Sequence, residues 1–103
     1  MRILIAEDEP RISRFVARGL TANGYSPTVV EDGIAALDYA TSGEFDLLVL
    51  DVGLPRMDGF TVLRTLRSMG HDIPIVVVTA RDSLDDTPVS YTHLRAHETR
   101  HDL

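Results

Sequence analysis

The segment LLVLDVGLPRMDGF, from Leu47 to Phe60, begins as a run of apolar residues and stops on a carboxylate, Asp51. Glycine and proline follow, so the run ends there in a loop. A short, continuous apolar run bounded by turn residues is typical of a strand that is buried on both faces. Because a buried carboxylate is costly unless it is paired, hydrogen-bonded or bound to a metal, Asp51 is expected to have a partner.

Three more strand-like runs accompany this one, and helical patterns separate them. The predicted strands are residues 2–6, 26–30, 46–50 and 73–78, and all are rich in aliphatic or β-branched side chains. Strands that alternate with helices predict right-handed crossovers and a parallel sheet covered on both faces. The fold class is therefore α/β, a doubly wound parallel sheet, with its chemistry outside the carboxyl ends of the strands.

Three helices are predicted between these strands. Glu9 is the expected cap of the first, with Pro10 in its first turn, and Asp32 and Asp58 are the expected caps of the other two. The apolar side chains expected to face inward are Ile12, Phe15, Val16 and Leu20 in the first helix, Ile34, Leu37 and Ala40 in the second, and Val62, Leu63, Leu66 and Met69 in the third.

Composition excludes several classes of function. The 103 residues suffice for one domain, and the absence of cysteine excludes disulfide frameworks and thiolate zinc sites. A net charge of −6 argues against binding to a nucleic-acid backbone. All the basic residues are arginines, so lysine-dependent phosphate loops and Schiff bases are excluded as well. No run is long enough for a signal peptide or a membrane span, which predicts a cytoplasmic protein with no membrane partner.

Three carboxylates are expected to meet at one edge of the sheet. Glu7 and Asp8 follow the first strand, and Asp51 ends the third. If these strands are neighbours, the acids repel one another unless a cation compensates. Oxygen ligands suit Mg²⁺, with Mn²⁺ as an alternative, and the backbone carbonyl of Gly53 can approach because this residue has no side chain. The competing interpretation of Glu7 and Asp8 is a solvated acidic cap at a helix start.

Thr79, at the end of the fourth strand, also has two interpretations. A hydroxyl at a strand end commonly bonds to nearby backbone. Beside a carboxylate and a metal it could instead donate to an incoming anion.

The pattern changes after Asp86. Residues 87–103 have little apolar periodicity, no glycine and no strand signal. We therefore divide the chain into a domain at residues 1–86 and a tail at residues 87–103.

The domain resembles the receiver domain of two-component response regulators, in particular the branch with winged-helix DNA-binding output domains. The resemblance rests on ILIAEDEP, LLVLDVGLPRMDGFTVLRTLR and IPIVVVTARDSLDD in this order. It implies a flavodoxin-like sheet of order 2-1-3-4-5 and Asp51 as the phosphoacceptor. It also implies a Mg²⁺ site formed by Glu7, Asp8, Asp51 and the Gly53 carbonyl, with Thr79 as the switch hydroxyl.

The same resemblance implies the partners. A sensor histidine kinase would donate the phosphoryl group of its phosphohistidine, and a receiver homodimer is allowed. DNA would be contacted only through an output domain that is missing here. The domain is expected to be a switch that catalyses its own Mg²⁺-dependent phosphotransfer, not a turnover enzyme.

The chain departs from the family after the fourth strand. Receiver domains continue into a fifth strand that carries a phosphoryl-binding lysine, and then into a fifth helix. Here the lysine is absent, and the fifth strand and helix are expected to be missing, which leaves the fourth strand as a bare edge. The tail resembles translated read-through sequence. Because the lysine-bearing strand is truncated away, phosphotransfer is expected to be impaired in this chain.

Two other functions compete with the phosphoacceptor. One is a pseudo-receiver that binds partners without phosphorylation, because the lysine is absent. The other is an aspartyl-phosphate phosphatase of the haloacid dehalogenase kind. That family needs a second aspartate two residues after the nucleophile, where this chain has Gly53.

Overall fold

The computed structural model describes residues 1–79 and 90–94, with the backbone alone for Thr79 and residues 90–94. Helices and strands alternate through most of this part. The elements are β1 (Arg2–Ala6), α1 (Pro10–Ala22), β2 (Ser26–Val30), α2 (Gly33–Ala40), β3 (Leu47–Asp51), α3 (Gly59–Ser68), β4 (Ile75–Thr79) and β5 (Ser90–Leu94). Within these ranges, no helix combines the length and the apolar character that crossing a bilayer requires.

The strands form one sheet in the order β2-β1-β3-β4-β5. The first four strands are parallel, and helices cover both sides: α1 packs on β1 and β2, whereas α2 packs on β1 and on α3. This confirms the predicted doubly wound sheet of order 2-1-3-4. Ala6 is in register with Leu50, and Asp51 is in register with Val78, so the central strands end level with one another.

The main apolar core lies between the sheet and the helices α2 and α3. Its large, fully buried side chains are Leu4, Leu48, Leu50, Val62, Leu66 and Ile75. Each contributes about 1.5–3 kcal/mol relative to an exposed position. Ile3 and Ile5, which alternate with Leu4 and so point to the other face, are buried too. β1 is therefore covered on both faces, which fixes the strand that carries Glu7 and Asp8 at its end.

The structure corrects the prediction that the tail has no strand. β5 pairs with β4 in the antiparallel direction, with Leu94 opposite Ile75 and Ser90 opposite Thr79. The edge of β4 is therefore not bare. An unpaired strand edge can bond to any extended segment, and here β5 occupies that edge. Residues 80–89 are too few for the crossover of a dozen or more residues that a parallel strand requires, whereas an antiparallel strand needs only a turn.

The remaining expectations concern the end of the chain, which the structure describes only in part. Among the described residues no parallel fifth strand occurs. The predicted boundary after Asp86 and the expected absence of a fifth helix both lie outside the described residues.

Three apolar side chains that were predicted to face inward are exposed. They are Phe15 (77% exposed), Ile34 (49%) and Met69 (54%). In α1 the buried residue is Ser13, so the helix turns its Ser13 side inward and leaves the ring of Phe15 exposed. In α2 the inner face consists of glycine and alanine, which lets the helix lie close to its neighbours. Met69 follows the last helical residue of α3 and does not share its inner face.

Candidate functional site

Three carboxylates meet at the carboxyl ends of β1 and β3. Glu7 and Asp8 follow β1 directly, and Asp51 is the last residue of β3. One carboxylate oxygen from each of the three residues lies within 4.8 Å of the other two. The structure thus brings together the three acids that the sequence places at neighbouring strand ends.

Glu7 is the buried member of this acidic cluster, with 6% of its surface exposed. Its backbone N–H donates to the Val30 carbonyl (3.0 Å), which extends the pairing of β1 with β2 beyond Ala6. Its Oε2 accepts a hydrogen bond from the Glu9 N–H (2.9 Å). Burial raises the pKa of the Glu7 carboxyl, the Glu9 hydrogen bond opposes this, and the charges of nearby acids, Asp51 foremost, raise the pKa further.

The other two carboxylates are more accessible. Asp8 is exposed and Asp51 is half-buried, so the acidic cluster opens to solvent on one side. Glu9, by contrast, occupies the cap position of α1 without a capping side-chain hydrogen bond, and its side chain pairs with Arg11 (3.5 Å). The acids that follow β1 therefore separate into two that join Asp51 and one that faces the surface.

Gly53 lies beside the carboxylate of Asp51. A β-carbon built on Gly53 would be 3.9 Å from Asp51 Oδ2, which is an ordinary contact. Packing against the described residues therefore does not require glycine at this position. The role of the Gly53 carbonyl as a metal ligand stays a prediction.

Gly59, the first residue of α3, touches the backbone of Asp51. A β-carbon here would overlap the Asp51 carbonyl oxygen and lie 2.9 Å from the Val52 Cα. The Gly59 N–H donates to the Val52 carbonyl (2.9 Å). Asp58 caps the helix as predicted, since its Oδ1 accepts from the Thr61 N–H (2.8 Å). The start of α3 is thus pressed against the residue that carries the central carboxylate.

Gly33, the first residue of α2, is equally confined. A β-carbon on Gly33 would overlap the carbonyl oxygen of Met57, in the loop that follows β3. Asp32 caps this helix as predicted and accepts from the Ala35 N–H (2.7 Å). Helices α2 and α3 therefore both begin with an aspartate cap followed by a glycine. Each glycine touches backbone atoms of residues at the end of β3 or in the loop after it.

Sequence reasoning missed the two glycines, Gly33 and Gly59. The Asp-Gly pairs were visible, but such a pair is also an ordinary helix start or turn. What distinguishes these two glycines is the backbone that lies against each of them. For Gly59 it is the backbone of Asp51 and Val52, shortly before α3, whereas for Gly33 it is the backbone of Met57, in a distant part of the chain.

Thr79 ends β4, one residue beyond Val78, the register partner of Asp51. The backbone of Thr79 therefore reaches the same edge of the sheet as the acidic cluster. Its side chain lies outside the described part of the chain, so its role as a switch hydroxyl stays a prediction.

Comparison with known proteins gives consistent matches. The response regulator receiver domain family matches residues 3–98. Response regulator MprA of Mycobacterium avium (strain 104) is 49% identical over 86 residues, which is 84% of this chain and 38% of that protein. This chain thus spans a little over a third of the length of the curated relatives that it matches.

Solved structures agree with this match. The Francisella response regulator 1452 receiver domain superposes with a TM-score of 0.75 at 31% identity, covering 81% of this chain and 69% of that one. The receiver domain of sensor histidine kinase PA1611 from Pseudomonas aeruginosa PAO1, described with a magnesium ion coordinated in the active site cleft, gives 0.73 at 34% identity, covering 78% and 67%. The family match and the likeness to these solved structures agree, and this chain therefore belongs to the response regulator receiver domains of two-component systems.

Proposed function

We propose that Asp51 is the phosphoacceptor of this domain and that it takes the phosphoryl group from a phosphohistidine of a sensor histidine kinase. A carboxylate oxygen of Asp51 would form the new bond to phosphorus. The bond between phosphorus and the imidazole nitrogen would break, and its electron pair would stay on that nitrogen. The observation that carries this proposal is the approach of the Glu7, Asp8 and Asp51 carboxylate oxygens to within 4.8 Å.

The donor set of the acidic cluster fits a hard divalent cation. Mg²⁺ binds oxygen ligands in octahedral geometry and usually retains several waters. The exposed Asp8 leaves room for such waters, and a cation would relieve the repulsion that raises the pKa of Glu7. We assign Glu7, Asp8, Asp51 and the Gly53 carbonyl as ligands of Mg²⁺, with Mn²⁺ as the alternative. When bound, the ion supplies positive charge that lets an anionic phosphoryl donor approach a carboxylate.

The protein contributes orientation. Asp51 is the last residue of a strand that is hydrogen-bonded on both sides, and the start of α3 confines its backbone through Gly59. When a carboxylate is held on a rigid element, less conformational entropy is lost in positioning it as a nucleophile. Thr79, at the end of the neighbouring strand, would then donate its hydroxyl to a phosphoryl oxygen and bias the domain between two states.

The wider role follows from the family and belongs to the same proposal. The module would act as a switch and take its signal from the kinase. A receiver homodimer is compatible with this role. Contact with DNA would belong to an output domain outside these residues, as the coverage of 38% of MprA suggests.

Because the chain contains no lysine, the pseudo-receiver alternative needs a test. A receiver without the phosphoryl-binding lysine could bind partners as a pseudo-receiver and never accept phosphate. The phosphatase alternative is weaker, since Gly53 occupies the position where that family needs an acid.

The test is phosphorylation by a small donor. The chain is incubated with acetyl phosphate and Mg²⁺, and its intact mass is measured. We expect a phosphoryl-sized gain in wild type and in Asp72→Asn, an exposed carboxylate before β4 at the opposite end of the sheet, and no gain in Asp51→Asn. Chelation of Mg²⁺ should abolish the gain. Wild type that stays unmodified would support the pseudo-receiver, whereas continuous phosphate release would support the phosphatase.

A further inference from the structure

The loop between β3 and α3 contains a strained turn. The Met57 N–H donates to the Pro55 carbonyl two residues earlier (2.7 Å), which closes a three-residue turn around Arg56. Arg56 has a φ of 71°, and it is the one non-glycine residue with a positive φ among the described residues. A turn of this type is rare and strained, and it persists where the surroundings hold it.

The start of α2 holds this turn. The Gly33 N–H donates to the same Pro55 carbonyl oxygen (3.1 Å). No side chain fits on Gly33, because a β-carbon would overlap the Met57 carbonyl oxygen and lie 2.6 Å from its carbon. Asp32, just before α2, approaches Arg56, with its Oδ2 3.9 Å from Nε. One helix start thus contacts all three residues of the turn.

The turn is connected to Asp51 by a short and anchored stretch of chain. Val52 is bonded on both sides, since its N–H donates to the Val78 carbonyl (3.2 Å) and its carbonyl accepts from Gly59. Leu54 is buried in the main core. Gly53 is the exposed residue between these two anchors, beside Asp51 Oδ2. A displacement of the turn at residues 55–57 therefore passes through Leu54 to Gly53, which lies beside the Asp51 carboxylate.

We propose that Gly33 is a positioning residue of the phosphoacceptor site: by its hydrogen bond and its lack of a side chain, it holds the strained turn at residues 55–57 in the place that sets Gly53 and Asp51. The inference rests on the proposed function, because it concerns the geometry of that same site. The inference gives α2 a role at the site, although this helix contributes none of the assigned ligands. It predicts that a change at the start of α2 alters the affinity for the cation.

The first test compares matched glycine substitutions in the 103-residue chain. Gly33→Ala forces α2 away from the turn, whereas Gly19→Ala introduces the same methyl group on α1, where no atom of the described residues lies within 4 Å. We expect the Mg²⁺ dissociation constant to rise about tenfold or more in Gly33→Ala, as for a lost supporting contact in a metal site, and to stay unchanged in Gly19→Ala. The backbone amide resonances of Asp51 and Gly53 should shift in Gly33→Ala and not in Gly19→Ala.

Two further variants separate positioning from a loss of stability. Ile75→Val weakens the core at the opposite end of β4, and its Mg²⁺ affinity should remain that of wild type. The double variant Gly33→Ala/Arg56→Gly relaxes the turn and should recover part of the lost affinity. Wild-type affinity in a folded Gly33→Ala, or an equal loss in Ile75→Val, would overturn the inference.

A measurement on wild type decides the matter if Gly33→Ala does not fold. Coupling is reciprocal, so a turn that favours cation binding must itself be favoured by the cation. Saturating Mg²⁺ should slow hydrogen exchange of the Gly33 and Met57 amides more than that of the Asn23 amide, which bonds to Leu20 at the end of α1. Equal slowing at all three would overturn the inference. If Mg²⁺ binds but acetyl phosphate leaves wild type unmodified, the proposed function fails and the positioning role is still measured.

Discussion

The carboxylates of Glu7 and Asp51 present oxygens within 4.8 Å of each other, one from a buried residue and one from the end of a central strand. Neither charge can move far, because Glu7 is tied through its Oε2 to the Glu9 N–H and Asp51 is part of β3. In the absence of a cation this pair opposes folding, since both burial and mutual repulsion disfavour the ionised form of Glu7. A cation bound by both carboxylates would offset their repulsion and favour the ionised form of Glu7.

Removing the charge of Glu7 should therefore have opposite effects with and without Mg²⁺. In chelator at pH 7, we expect Glu7→Gln to be more stable than wild type towards urea, because glutamine keeps an acceptor for the Glu9 N–H and removes the repulsion. At a Mg²⁺ concentration about 100 times its dissociation constant, wild type should gain about 2.7 kcal/mol. Glu7→Gln should gain much less. Glu31→Gln, an exposed acid after β2, is the control and should follow wild type. A Glu7→Gln protein that is less stable than wild type in chelator would contradict this account.

The raised pKa of Glu7 also predicts a pH dependence. A carboxyl whose pKa is higher in the folded state binds more protons when folded, so its contribution to stability falls as the pH rises. The fall begins near the ordinary value of 4.5 and is complete above the raised pKa. In chelator, the free energy of unfolding of wild type relative to Glu7→Gln should decrease through this window and then become constant. The measurement is urea unfolding at several pH values, and a difference that increases with pH would refute the assignment.

Much of this site follows from local patterns in the sequence. The apolar runs that end on Asp51 and before Glu7 predict two strand ends, and parallel strands place such ends at the same edge. The caps Asp32 and Asp58 were predicted because a capping side chain bonds to a backbone N–H only three residues ahead. These features depend on short stretches of chain, and so periodicity and residue type suffice to find them.

The features that were not predicted depend on contacts between distant segments. β5 pairs with β4 because an edge is available, not because residues 90–94 carry a strong strand pattern. Phe15 has the right spacing for an inner face, but the orientation of α1 is set by its packing on the sheet. The confinement of Gly33 arises from a loop more than twenty residues later. Such contacts become visible only when the chain is folded.

Two glycines near Asp51, Gly53 in the loop after β3 and Gly59 at the start of α3, should differ in their response to alanine. In Gly59→Ala the new methyl group would overlap the Asp51 carbonyl oxygen, so α3 must move away from Asp51, the proposed acceptor. We expect phosphorylation by acetyl phosphate to slow by up to roughly 100-fold, as small displacements of a nucleophile do. In Gly53→Ala the methyl group meets, among the described residues, only Asp51 Oδ2 at 3.9 Å, and the backbone carbonyl remains, so the rate should stay close to that of wild type. Rates are followed by intact mass, with circular dichroism as the check of folding. The reverse order of the two rates would show that the Gly59 contact does not set the acceptor geometry.

The carboxylate of Asp32 has two separable roles at the start of α2. Its Oδ1 caps the helix through the Ala35 N–H (2.7 Å), and its Oδ2 lies 3.9 Å from Nε of Arg56, whose side chain is 62% exposed. Asp32→Asn keeps a capping oxygen and loses the ion pair, which at such exposure is worth about 0–1 kcal/mol. Asp32→Ala loses both, and the cap alone is worth about 0.5–2 kcal/mol. We therefore expect alanine to lower the free energy of unfolding clearly more than asparagine does.

The ion-pair part of the Asp32 prediction can be isolated in a second background. In Arg56→Ala the substitution Asp32→Asn should have almost no effect on urea unfolding, because the partner charge is already absent. The small effect of Asp32→Asn in the wild-type background should also shrink in 1 M salt, where exposed charges are screened, whereas the loss in Asp32→Ala should persist. Equal losses for asparagine and alanine would mean that the charge of Asp32, and not its capping hydrogen bond, stabilises the start of α2.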